Sequence, residues 1–114
     1  VEHCYLAGKK TPGATLVVWL SPDRPSGQHR IRHNHFGHRP PLGQNGGETL
    51  RIGDSATSLL TANCLVEANL FARCNGEIEV ISNKSCGNVY HANTFRACAG
   101  TLTLLAALRD VLPP

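Results

Sequence analysis

The stretch from Leu59 to Ser82 constrains the fold more than any other part of this 114-residue chain. It holds the densest apolar run, two of the five cysteines and the clearest turn signal, so the remaining segments must pack around it. Two readings compete. In one, Asp54 or Ser55 caps a helix that runs to about Arg73 and stops before Gly76. In the other, Asn75-Gly76 is a hairpin turn between two strands. Cys64, Val66, Ala68, Leu70, Ala72 and Cys74 alternate at strand spacing, whereas the unbroken run of helix formers favours the helix. Glu77–Ser82 is a strand in both readings, with Ile78 and Val80 on one face and Glu77, Glu79 and Ile81 on the other.

Elsewhere, Ala14–Leu20 reads as a central strand with Trp19 in the core, and Thr49–Ile52 as a short strand beside it. Leu104, Leu105, Leu108 and Val111 share one face at helical spacing, which predicts a helix over Thr101–Asp110 ended by Pro113-Pro114. The expected architecture is a single α+β domain over residues 1–114: a small antiparallel sheet with helices at Ser55–Arg73 and Thr101–Asp110, stabilised by disulfides. An all-β domain is the alternative.

The cysteines carry the compartment argument. Cys4, Cys64, Cys74, Cys86 and Cys98 form no Cys-x-x-Cys pair, so they resemble neither a zinc nor a redox motif. Together with the absence of methionine they suggest a secreted, extracellular chain with disulfide bonds. The sequence leaves their pairing open, and the odd thiol is free or links two copies. Asn83-Lys84-Ser85 is a glycosylation sequon. Val1 in place of Met fits a processed or cut chain, and no apolar run has membrane-spanning length.

Residues 21–47 are aperiodic and hold four of the six histidines. Arg24, Arg30, Arg32 and Arg39 against Asp23 supply a charge equal to the net +3 of the whole chain. An exposed loop of this kind suits an anionic surface, a glycan, phosphate or a nucleic acid, and a protein partner is the remaining candidate. Its candidate contact residues are Arg30, Arg32, His33, His35, His38 and Arg39. His33, His35 and His38 also have a spacing that zinc or copper accepts, although the local sequence offers them no carboxylate. The amine of Val1 with His3 is a second candidate for copper or nickel.

These features favour a secreted binding protein of toxin or effector type that acts through the basic loop. One alternative is a small ribonuclease-like hydrolase, pairing His33, His35, His38 or His91 with Glu67, Glu77 or Glu79. The other is a histidine-based metal-binding protein. No Gly-x-Ser-x-Gly, phosphate loop or His-Glu-x-x-His is present, which removes the enzyme classes that carry those motifs.

Overall fold

A computed structural model describes residues 1–23 and 28–104. The chain winds as a parallel β-helix, visiting three sheets in turn and stacking each coil on the one before. Sheet I contains β1 (Tyr5–Leu6), β4 (His35–Phe36), β7 (Leu70–Ala72) and β10 (Thr94–Arg96). Sheet II contains β2 (Leu16–Val18), β5 (Leu50–Gly53), β8 (Glu79–Lys84) and β11 (Thr101–Leu104). Sheet III contains β3 (Arg30–Arg32), β6 (Leu65–Glu67) and β9 (Val89–His91). Every pairing between these strands is parallel.

This overturns the expected α+β domain with an antiparallel sheet. In place of a helix over Ser55–Arg73 there is a single 3-10 turn, Ser55–Thr57, closed by a reciprocal capping box between Asp54 and Thr57, followed by β6 and β7. Thr101–Leu104 is a strand, and the rest of the second expected helix lies outside the described residues. Asn75-Gly76 does not turn a hairpin; it sits at the corner between β7 and β8, which belong to different sheets. The strand around Ala14–Leu20 forms one edge of sheet II, and Trp19 is 68% exposed rather than in the core. Among the described residues, no helix is long and apolar enough to cross a membrane.

The corner between sheets III and I explains how so short a repeat can hold. His33, Ala68 and Ala92 each adopt a left-handed backbone, with φ of 56°, 55° and 56°. Each precedes an asparagine, and the three asparagines stack. Asn34 Nδ2 donates to Asn69 Oδ1 at 3.1 Å, and Asn69 Nδ2 donates to Asn93 Oδ1 at 3.0 Å. The backbone N–H groups of Asn34 and Asn69 donate to the same oxygens at 3.0 Å. The ladder thereby satisfies corner N–H groups that no strand pairing reaches. Two residues further along, Phe36, Phe71 and Phe95 stack inside the helix, with ring centroids 4.8 and 5.0 Å apart. Ile31, Val66 and Tyr90 form the matching row from sheet III, and Leu50 with Ile81 a row from sheet II.

No disulfide joins the cysteines, which corrects the expected cross-linked scaffold: all five are free thiols. Cys64, Cys74 and Cys86 are buried, and Cys4 is exposed. Burial pushes the Cys74 thiol up to about 11, and it stays protonated as a small apolar filler bonded to backbone carbonyls. The sequon does not mark an accessible acceptor either. Asn83 is fully buried in β8, where its amide donates to the Ser85 carbonyl at 3.0 Å and its Oδ1 accepts from Asn88 and Tyr90.

Candidate functional site

Residues 21–47 are not a free basic loop. They contain β3 and β4, and Ile31, Asn34, Phe36 and Arg39 point into the body. Arg32 is neutralised by Glu2 at 2.8 Å, with Glu67 at 4.0 Å. Arg30, His33, His35 and His38 are exposed. His33 stacks on His3 at 5.2 Å and His35 meets Tyr5 edge-on at 4.7 Å, so these rings pair across coils. His33, His35 and His38 do not come together as a ligand set among the described residues. Of the expected histidine–carboxylate pairs, His91 with Glu67 forms, at 3.1 Å on the surface of sheet III.

A denser constellation stands where the two central strands of sheet II, β5 and β8, begin. Glu48, Glu77 and Glu79 bring carboxylate oxygens within 4.8 Å of one another. With Asn45, Gly46, Ile78 and Lys84 they line a pocket of about 340 Å³. Two devices assemble it. The first is a bulge in β8: Thr101 pairs with Glu79 and Leu102 with Ile81, so Val80 and Ile81 both turn inward. The phase shift brings Glu79 and Lys84, five positions apart, to the same outer face. It also breaks the simple alternation expected over Glu77–Ser82, while Ile78, in the bend before β8, is 74% exposed.

The second device is a pair of glycines. A Cβ on Gly47 would lie 2.4 Å from the Gly76 carbonyl oxygen, and one on Gly76 would lie 2.1 Å from that of Gly47. Only two glycines allow the corners of successive coils to approach so closely, and that contact sets Glu48 beside Glu77.

Arg39 supports the site from behind. Its side chain is 2% exposed and donates to the carbonyls of Thr11 at 2.8 Å, Gly13 at 2.7 Å, Gly46 at 3.2 Å, and Glu48. Burial pulls its pKa below the ordinary value, and the charges of Glu48 and Glu77 push back. Burial, then the hydrogen bond and negative charge of Glu48, push the Glu77 carboxyl above the usual range. The N–H groups of Gly46 and Gly47, each donating to Glu77 Oε1 at 3.1 Å, oppose that rise. Glu48 Oε1 is buried with no hydrogen-bond donor among the described residues. Three converging carboxylates, one with an orphaned oxygen, and an amide alongside fit a hard divalent cation such as calcium. Such ions take oxygen ligands. Lys84 stands in the same pocket as the one side-chain cation lining it.

The chondroitinase B family profile matches residues 1–107. The chain belongs to the chondroitinase B family. Among solved structures, this family member is similar to a mannuronic acid specific polysaccharide family 6 lyase from human gut microbiota. The identity is 50% and the TM-score 0.87, over 89% of this chain and 23% of that one. It is also similar to the PL6 family alginate lyase AlyGC, at 53% identity and a TM-score of 0.87 over 90% of this chain and 14% of that one. An arginine-to-alanine mutant of AlyGC matches at 50% identity and a TM-score of 0.85. The chain thus spans less than a quarter of the length of these structures. No curated protein matches it. Family membership replaces the toxin- or effector-like binding protein expected from the sequence.

Glu48, Asn45 and Lys84 were not singled out by the sequence reading, and Glu77 and Glu79 entered only as partners for histidine. A usable signal was present. His33-Asn34-His35-Phe36, Ala68-Asn69-Leu70-Phe71 and Ala92-Asn93-Thr94-Phe95 repeat at spacings of 35 and 24 residues. A repeat of that length indicates a stacked coil.

Proposed function

We propose that this chain is the part of a polysaccharide lyase that holds the reacting sugar, and that its substrate is a uronate polymer of the alginate kind. The observation that carries the reading is the pocket in which Lys84 faces three carboxylates. The two named lyases, similar over nine-tenths of this chain, support the substrate class.

Cleavage of a uronate polymer by elimination requires removal of the proton next to the sugar carboxylate. The C–H electron pair becomes a C=C bond, the glycosidic C–O bond breaks, and the leaving oxygen gains a proton. A divalent cation held by Glu48, Glu77 and Glu79 would supply positive charge against the sugar carboxylate, which makes the neighbouring proton more acidic. Lys84, on the outer face of β8, is the group in this pocket able to accept that proton in its neutral form. Glu79 and Glu77 hold the carboxylate end of the site, and Arg39 fixes the Gly46–Glu48 backbone against their repulsion. An extracellular location, expected from the sequence, belongs to this proposal, since a polymer is cut where it can be reached.

The test is incubation with polymannuronate, read by the ultraviolet absorbance of the unsaturated sugar end. Wild-type protein forms that product and Lys84→Ala loses at least about a hundredfold in rate, the usual scale for a general base. An unchanged rate in Lys84→Ala overturns the assignment of the base. Reducing ends formed without the absorbance would mean hydrolysis and overturn the lyase reading.

A further inference from the structure

The outer face of sheet II continues past Lys84. Gly53 pairs with Lys84, and Ile52 pairs with Val18, so Trp19 stands one residue beyond that pair on the far side of Gly53. Val18 and Leu20 are buried and Trp19 is exposed, which turns the indole outward. Gly53 presents no side chain, so nothing from that position fills the space between the indole and Lys84. Two strand spacings separate them, about 10 Å.

Arg51 lies two residues before Gly53 on β5 and opposite Ser82, two residues before Lys84. Its guanidinium carbon sits 4.9 Å from the centre of the Trp19 ring. Arg51 forms no ion pair among the described residues, and its Nε is covered without an acceptor. A guanidinium stacked on an aromatic ring keeps its in-plane N–H groups directed outward, where they match a carboxylate. The indole leans over the next coil rather than off the edge of the sheet, and most of it remains exposed.

We propose that Trp19 and Arg51 form a sugar subsite next to the reacting one: the indole takes the apolar face of a pyranose ring and Arg51 takes its carboxylate. The inference rests on the uronate-lyase reading and adds to it a means of preferring a charged sugar over a neutral one away from the reacting bond. A polymer would cross the strands of sheet II along the helix axis, one coil after another. Trp19 is then a binding residue, with its main effect on KM for polymer and little on kcat.

Trp19 is the single tryptophan of the chain, so its fluorescence reports this subsite directly. Titration with polymannuronate oligomers is expected to shift or quench the emission saturably, and a neutral β-glucan oligomer of equal length is expected to leave it unchanged. Arg51→Gln keeps the reporter and should weaken the apparent Kd about tenfold, the scale of one charged hydrogen-bonded pair, while Arg51→Lys recovers part of the loss. Trp19→Phe, which keeps an aromatic face, should raise KM for polymer less than Trp19→Ala does, with kcat retained in both. If emission does not respond while calorimetry detects the oligomer, the sugar occupies the Lys84 pocket alone. The subsite then falls and the lyase reading stands. If neither responds, both fall. An equal response to the neutral oligomer removes the role given to Arg51.

Discussion

Arg39 is the residue that braces the carboxylate cluster from beneath without itself reaching the surface. Its guanidinium is nearly sealed, and its donors close the carbonyls of two chain segments, Thr11–Gly13 and Gly46–Glu48. Methionine at this position has a similar reach and no donors. Arg39→Met would take a donor from four backbone carbonyls, of which those of Gly46 and Glu48 keep the N–H groups of Gly13 and Thr15, and would remove the positive charge that faces Glu48 and Glu77. The expected loss is about 3 kcal/mol or more, read as a drop in the denaturant midpoint. Cation affinity should weaken as well, because the Glu48 backbone loses its anchor. In the sequence Arg39 looked like one more positive charge on a basic loop. Residue type and neighbours do not distinguish a solvated arginine from one enclosed by carbonyls forty positions apart or fewer; only the stacking of coils does.

At the scale of the element, the corner is the unit that organises this fold. The apparent alternation from Cys64 to Cys74 breaks at Ala68, whose left-handed backbone turns the chain from sheet III to sheet I. Cys64 and Val66 are inward before the corner, and Asn69, Phe71 and Cys74 after it. Two short strands with opposite phase, joined at an angle, produce an apolar pattern intermediate between strand and helix. That is why periodicity over the whole window favoured neither and a helix was expected. The strands at Leu16–Val18, Leu50–Gly53 and Glu79–Lys84 were legible as β-rich runs, but their parallel pairing was not, since it is fixed by partners in other coils. The asparagine ladder should therefore be more sensitive than any single strand. Asn69→Ala removes a side chain that accepts from Asn34 and donates to the Ile31 carbonyl at 2.8 Å and to Asn93. A destabilisation of about 2–4 kcal/mol is expected from the buried groups left unpaired, against a smaller effect for Asn75→Ala, whose half-buried amide bonds only exposed partners, the Ala97 carbonyl and the Ala99 N–H, which water can satisfy. Thermal unfolding of the two variants side by side checks this.

Over the whole molecule, the carboxylate cluster makes stability depend on pH and on cation in opposite directions. The folded Glu77 carboxyl has its pKa raised, first by burial and then by Glu48, so the folded state holds that proton more tightly than the unfolded chain. Stability without cation should then fall as pH rises from the ordinary carboxylate range through the raised value, as the buried charge appears. Glu2 acts in the reverse sense, since its hydrogen bond and charge pairing with Arg32 lower its pKa and add stability that is lost on acidification. Its exposure makes that contribution small, and a Glu77→Gln variant separates the two. A divalent cation binds the ionised cluster, so its stabilisation should grow over the same pH interval in which the cation-free protein weakens. Melting temperature between about pH 4 and pH 7, with chelator and with millimolar calcium, should give two curves that diverge as pH rises. Glu77→Gln should flatten the chelator curve and abolish most of the divergence. Parallel curves in the native protein would mean that the three carboxylates do not hold the ion, and the elimination chemistry would then rest on Lys84 without it.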